Sequence, residues 1–289
     1  MYDIIVIGAG PAGISASLYA KRSGMNVLVL YYGISELQKA NKIDNYYGFA
    51  QGITGEELYN NGIKQAKNLG VEVLEKEVTD IKIEENLYYK IKTIDETFEA
   101  KAIIIATGNK KVKPNIQGIA EFEGKGISYC AICDGYFYRN KNVAIIGDGE
   151  FAISEAEDLD NVVNSITFFT NGKEAPNINK YRIDTRKIKQ IHGNQKVDCI
   201  EFEDGDKINI DGIFIAQGIA SGDSFAKKLG IITKGDNIEA NENMETNIEG
   251  IFACGNITGG LLQVGKAVYE GAKAGLNAAN YIKNKEEEK

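Results

Sequence analysis

Histidine and cysteine are scarce, with one His and four Cys in 289 residues. So few cysteines cannot build the disulfide framework of a small secreted domain. A structural zinc site needs four ligands, and beyond the close pair Cys130 and Cys133 the supply is Cys199, Cys254 and His192, each isolated. Basic excess is also missing: the net charge is −8, with 33 Lys and Arg against 41 Asp and Glu. Nucleic acid and anionic membranes reward a basic surface, so neither is an expected partner. Long apolar runs are absent too. The opening MYDIIVIGAG has no basic leader and its apolar run stops at Gly8, so neither a signal peptide nor a membrane span is expected, and the location implied is cytoplasmic.

What is present suits two modest domains, given this length and 43% hydrophobic residues. Residues 2–33 line up with 142–172, and both segments read as strand, glycine turn, helix, strand. IIVIG and VAIIG are buried-strand runs, and Ala12, Ala16 and Ile14, Leu18 recur at helical spacing. The fold expected is α/β, with two Rossmann-like dinucleotide-binding domains, the second inserted into the first. Residues 72–106 read as a meander of short strands. Pro114 and the polar, aperiodic stretch 238–250 suit the crossings, which gives one domain at 1–114 with 245–289 and another at 115–244. The tail NKEEEK reads as a solvated, frayed end.

Gly8, Gly10 and Gly13 fall between the first strand and helix, where the turn must be tight and the backbone must approach a pyrophosphate. Backbone N–H groups at the helix start would hold that anion. No acidic residue follows to bind ribose, since the second strand ends at Tyr31, Tyr32 and Gly33.

Cys130 and Cys133 are spaced so that their sulfurs can bond across the first turn of a helix. Asp134 follows at once, and a carboxylate there can pass a proton to and from a leaving thiolate. Two incidental core cysteines and a helix-start charge remain the alternatives at this point. Cys199 and Cys254 lie in apolar, strand-like segments and read as core.

The ordered set GAGPAG at 8–13, IIIATG at 103–108, CAICDG at 130–135 and GIFACGN with LLQVGKAV at 250–268 resembles the low-molecular-weight thioredoxin reductases over the whole chain. The resemblance implies an FAD domain, an inserted domain carrying the cysteine pair, a homodimer, and a thioredoxin-like protein as partner. Cys133 would face the flavin, Cys130 would attack the partner disulfide, and Asp134 would be the acid and base. Gly8, Gly10, Pro11, Ala12 and Gly13 would meet the pyrophosphate. Gln38 and Asn45 would lie along the flavin, and Gly255, Asn256, Gln263 and Val264 near ribityl and isoalloxazine. Asn256 stands where the family has Asp, and Glu36 and Leu37 stand in place of paired glycines before Gln38.

The second glycine motif departs further. Gly147, Gly149 and Ala152 keep the spacing, but Asp148 and Glu150 put carboxylates where a pyrophosphate would approach, a like-charge placement on the order of several kcal/mol. Glu155, Glu157 and Asp158 follow on the helix. The next strand ends in Phe168, Phe169, Thr170, Asn171 and Gly172, with no arginine for a 2′-phosphate and no acid for a 2′-hydroxyl. NGKEAPNIN leads into strands without an amphipathic helix. This resembles family members that have lost the pyridine-nucleotide motifs, some of which take electrons from ferredoxin. Ferredoxin is therefore the favoured donor, with Lys110, Lys111 and Lys113 or the run 180–189 as docking cations. The alternatives are an NADPH-dependent enzyme using Arg182 or Arg186, and a flavin redox sensor.

Overall fold

The run YDIIVI forms strand Tyr2–Ile7, which pairs in parallel with Val27–Tyr31 on one side and Thr97–Ile105 on the other. A strand covered on both faces needs apolar residues at successive positions, and Ile4, Ile5 and Val6 are all fully buried. The computed structural model describes residues 1–84, 88–108, 114–218, 222–235 and 237–287. The chain forms two units, residues 1–110 with 221–289 and residues 111–220.

In the first unit the sheet runs Glu72–Glu75, Val27–Tyr31, Tyr2–Ile7, Thr97–Ile105, Tyr88–Thr93, Val78–Glu84, and Ile251–Ala253 also joins Thr97–Ile105. The long strand Thr97–Ile105 serves two partners on one edge. Its first residues pair antiparallel with Tyr88–Thr93, and Ile103, Ile104 and Ile105 pair in parallel with Ile251–Ala253. The expected meander therefore begins at Val78. Glu72–Glu75 instead lies parallel to Val27–Tyr31, because helix Gly55–Asn68 carries the chain across as a parallel connection requires.

Helix Pro11–Arg22 packs on helix Val264–Glu287 at close range. A Cβ on Gly271 would lie 2.1 Å from the Ala12 carbonyl oxygen, and one on Gly275 would lie 2.2 Å from that of Ala16. Small residues on both helices thus bring their backbones together directly behind the first glycine turn.

The second unit repeats the plan. Strand Asn142–Ile146, helix Glu150–Leu159 and strand Ser165–Phe169 correspond to Tyr2–Ile7, Pro11–Arg22 and Val27–Tyr31. Its parallel sheet runs Arg182–Asp184, Ser165–Phe169, Asn142–Ile146, Gly212–Ile215, Ile127–Ser128. A smaller antiparallel sheet, Ile188–Gly193, Val197–Phe202 and Lys207–Asn209, accompanies it. No helix lies between Ser165–Phe169 and Arg182–Asp184. The chain is thus α/β with two Rossmann-like units.

The return to the first unit differs from the boundary expected at 245. Helix Gly222–Leu229 belongs to the first unit and sets Lys228 Nζ 3.7 Å from Asp80 Oδ1 of strand Val78–Glu84. The polar stretch after it is a turn rather than a linker. Asn241 Oδ1 accepts from the backbone N–H groups of Asn243 and Glu245, at 2.8 and 3.0 Å. Of the tail, residues 284–287 continue the last helix, where Glu286 is exposed as expected and pairs with Lys101 at 2.7 Å.

Candidate functional site

In the first unit the three glycines of GAGPAG answer to different demands. Gly8 has φ +110°, and a Cβ there would lie 2.4 Å from the Ala106 carbonyl oxygen; one on Gly13 would lie 1.8 Å from that of Gly8. Both are glycine because the strand and helix pack too closely for a side chain. Gly10 has ordinary backbone, φ −69°, and a Cβ there would meet only Ser35 Oγ, at 3.8 Å. Among the described residues nothing crowds a Cβ there, so the open space above Gly10 fits a ligand's approach. Pro11 occupies the first helical position, and the N–H groups of Ala12 and Gly13 lie in the first turn, where helical partners are lacking. These residues fit a dinucleotide pyrophosphate.

The other residues that the resemblance sets along the flavin lie in the same unit. Gly255 starts the 3-10 turn Gly255–Thr258 at φ +84°, and its Cβ would come 2.7 Å from Ala12 Cβ, so this turn rests on the glycine cradle. Asn256 is its second residue and Val264 opens the closing helix. Asn45 Nδ2 donates to Gln263 Oε1 at 3.0 Å across 218 residues of sequence. Gln38 lies in the 3-10 turn Glu36–Lys39, where its Oε1 accepts from Ser35 N–H at 2.9 Å while Ser35 Oγ caps the turn. This capping box sets the backbone path that the missing glycines left open.

Sequence reasoning missed Lys266 and Glu270. Lys266 Nζ donates to the Gly255 carbonyl at 2.8 Å and to Thr258 Oγ1 at 3.0 Å, and pairs with Glu270 at 2.9 Å. Glu270 Oε2 accepts from Gly255 N–H at 2.9 Å. An i,i+4 Lys and Glu on the helix after a glycine turn was the available signal.

In the second unit, Cys130 and Cys133 are joined by a disulfide. Cys130 precedes the short helix Ala131–Asp134, and its Sγ accepts from Cys133 N–H at 3.2 Å. The two sulfurs differ in access, for Cys130 is only 3% exposed whereas Cys133 is exposed. Ser128 Oγ donates to Asp134 Oδ2 at 2.7 Å and accepts from Cys130 N–H at 3.1 Å, so one hydroxyl orients both the carboxylate and the redox turn. Tyr138, packed nearby, has its phenol pKa raised by burial and by the Asp134 charge. Ile132, Tyr136 and Phe137 form an exposed apolar rim, the last two each 71% exposed. Of the other cysteines, Cys199 is half-buried opposite His192, and Cys254 is fully buried, which pushes its thiol pKa far up.

The second glycine turn keeps its shape but not its charge. A Cβ on Gly147 would lie 2.3 Å from the Ala216 carbonyl oxygen, while one on Gly149 would meet only the Gly218 oxygen at 3.7 Å. Between them, both carboxylate oxygens of Asp148 accept from Lys173 Nζ, at 3.0 and 2.9 Å. Lys173 follows the strand where the family's phosphate-binding cations are expected, and here it is committed to Asp148. The run 180–189 is similarly occupied. Arg186 pairs with Asp184, Asp204 and Asp206 and stacks on Phe202 at 4.0 Å. Lys180 binds Asp160, Lys187 binds Glu203 and Lys189 binds Glu201. Arg182 is exposed on a sheet-edge strand. Lys110, Lys111 and Lys113 lie outside the described residues.

Among the described residues no helix is long and apolar enough to cross a membrane. The family profile described as pyridine nucleotide-disulphide oxidoreductase matches residues 2–271. A thioredoxin reductase of Ureaplasma parvum is 34% identical over 98% of this chain and 97% of its own. The crystal structure of the atypical thioredoxin reductase TRi from Desulfovibrio vulgaris Hildenborough superposes with a TM-score of 0.91 at 38% identity, covering 98% of this chain and 99% of that one. A ferredoxin-flavin thioredoxin reductase from Clostridium acetobutylicum gives a TM-score of 0.72 at 32% identity, with 98% of each chain covered. A bonded Cys130–Cys133 pair, a glycine cradle fit for FAD and these relatives together place the chain in the low-molecular-weight thioredoxin reductase family of flavin-dependent disulfide oxidoreductases.

Proposed function

We propose that the protein reduces the disulfide of a thioredoxin-like protein through Cys130 and Cys133, drawing electrons from ferredoxin rather than NADPH. The observation that carries the choice of donor is Asp148, held between the two glycines of the second cradle by Lys173. A dinucleotide pyrophosphate arriving there would meet a carboxylate in place of open backbone N–H groups, and the nearby arginine Arg186 is committed to three other carboxylates. The ferredoxin-flavin relative supports the same direction.

FAD, when bound, supplies the capacity to accept electrons singly and pass them on as a pair. Two electrons and a proton break the Cys130–Cys133 bond, leaving one thiol and one thiolate. Cys130 then attacks the partner's disulfide, and the mixed disulfide is resolved by Cys133, which re-forms the internal bond and releases a reduced partner. Asp134, oriented by Ser128, holds the proton that the departing sulfur needs. Cys130 is buried in the disulfide state, so its attack requires that reduction open the turn. Ile132, Tyr136 and Phe137 offer the partner an apolar landing surface beside the exposed sulfur. Exposed Leu261, Leu262 and Tyr269 on the first unit support a homodimer, and the scarcity of cysteine supports a reducing, cytoplasmic setting.

The second reading, an NADPH-dependent enzyme, is favoured by the open space at Gly149. Anaerobic flavin bleaching separates the two. Loss of oxidised-flavin absorbance with reduced ferredoxin alone supports the proposal, and prompt bleaching by micromolar NADPH overturns it.

A further inference from the structure

The turn Gly255–Thr258 is only four residues long, and Gly255, Gly259 and Gly260 within and after it all have positive φ. Glycine can take many backbone paths, so something must select this one. The selection comes from one turn of the closing helix. Glu270 Oε2 accepts from Gly255 N–H at 2.9 Å, which holds the peptide plane before Gly255. Lys266 Nζ donates to the Gly255 carbonyl at 2.8 Å, which holds the plane after it, and also reaches the Gly259 carbonyl. Thr258 Oγ1 lies 3.0 Å from both charged groups and ties the far end of the turn to them. Lys266 and Glu270 pair with each other at 2.9 Å and their side chains are 15% and 13% exposed, so the pair is set into the unit rather than spread on its surface. A half-buried pair whose remaining groups are hydrogen-bonded fixes geometry far better than a solvated one.

We propose that Lys266 and Glu270 are positioning residues that aim Asn256 at the flavin end of bound FAD. The inference rests on the assignment of Asn256 to the flavin. The plane held by Lys266 is the peptide that joins Gly255 to Asn256, so the pair sets the direction in which the Asn256 side chain leaves the backbone. On its other side the turn rests on Ala12 of the first glycine turn, which leaves the backbone fixed from two directions. Asn256 offers a neutral amide where the family has a carboxylate, and a neutral hydrogen bond is about half as strong as a charge-assisted one. With less attraction to draw a hydroxyl in, the bond depends more on where the amide oxygen points. The pair therefore governs the grip on the ribityl and ring part of FAD, and not the grip on its adenosine diphosphate part.

The test compares FAD with ADP, which shares the adenosine and pyrophosphate and lacks the ribityl chain and ring. Each protein is saturated with FAD and diluted, and free FAD is read by its fluorescence. Displacement of FAD by added ADP gives the ADP affinity. Lys266→Met and Glu270→Gln should each weaken FAD about tenfold, as the loss of one well-placed hydrogen bond does, and leave ADP within about twofold. Asn256→Ala should do the same. In an Asn256→Ala background, Lys266→Met should cost less than about threefold more, because the group that it aims is gone. Unaltered FAD affinity in the two single variants, equal losses of FAD and ADP, or a full further loss in the double variant overturns the inference. The two readings fail differently. FAD affinity untouched by Asn256→Ala removes the flavin assignment of Asn256, and the inference with it. FAD affinity lowered by Asn256→Ala but not by Lys266→Met leaves the assignment standing and sinks the inference alone. If Lys266→Met does not fold by circular dichroism, Glu270→Gln decides; unfolding of both makes the pair a general support and overturns the local role.

Discussion

Lys173 Nζ holds both carboxylate oxygens of Asp148, at 3.0 and 2.9 Å, in the turn where the second Rossmann-like unit would cradle a pyrophosphate. The backbone there remains glycine at 147 and 149, so on the proposed reading charge rather than shape keeps the nucleotide out. Replacing both carboxylates, as Asp148→Gly with Glu150→Asn, should lower the NADPH concentration that bleaches the flavin by tenfold or more. A tenfold gain corresponds to about 1.4 kcal/mol, a modest fraction of a like-charge clash. An unaltered NADPH titration in the double variant would show that these carboxylates do not govern nucleotide binding.

Gly10 and Gly13 separate binding from packing. A Cβ at Gly10 meets nothing described in the chain nearer than Ser35 Oγ at 3.8 Å, whereas one at Gly13 meets the Gly8 oxygen at 1.8 Å. Gly10→Ala should therefore weaken flavin retention while keeping the far-ultraviolet spectrum and the unfolding midpoint of the apoprotein. Gly13→Ala should lose FAD and also destabilise the apoprotein by roughly 1–3 kcal/mol through overpacking. Undiminished flavin retention in Gly10→Ala would mean that the open space is not the pyrophosphate site.

Cys130→Ser should abolish reduction of the thioredoxin-like partner while leaving flavin reduction by the donor intact. Insulin-coupled turnover and flavin absorbance, followed on the same preparation, read the two half-reactions. Persistent turnover would remove Cys130 as the attacking sulfur and transfer that role to Cys133, the exposed member of the pair.

Glu201 gathers Lys189, His192 and Lys207 on the small antiparallel sheet, and hydrogen bonds from these three hold its carboxyl down at about 2. A depressed folded pKa contributes stability that is fully present above the ordinary value of 4.5 and is lost as pH falls toward 2. Glu201→Gln should unfold at lower urea than the wild type at pH 7, and the two midpoints should converge between pH 4.5 and 2. A gap that persists at pH 2 would assign the effect to packing.

The repeat of strand, glycine turn and helix was legible because buried parallel strands and helices leave strong local periodicities. So was the redox pair, since a two-residue spacer brings two sulfurs within bonding reach whatever surrounds them. The return to the first unit was not, because Asn241 builds its turn from side-chain bonds that look, in sequence, like any polar linker. Glu155 was read as one more acid hostile to a nucleotide. Which face of Glu150–Leu159 turns inward depends on the redox turn that packs against it, and no spacing within the helix announces that. Lys173 lay in a polar loop and had no visible reason to reach back to Asp148. The path to Gln38 could have been found, for Ser35 and Gln38 have the spacing of a capping box.

Ile251–Ala253 closes onto Ile103–Ile105, and Val264–Glu287 braces Ala12 and Ala16. During synthesis these late segments leave the ribosome only after the entire inserted unit. The first glycine turn therefore waits, half-supported, while well over a hundred residues are translated, and contacts this distant in sequence form late. A chain stalled before Ile251 lacks the strand and the helix that back its first glycine turn.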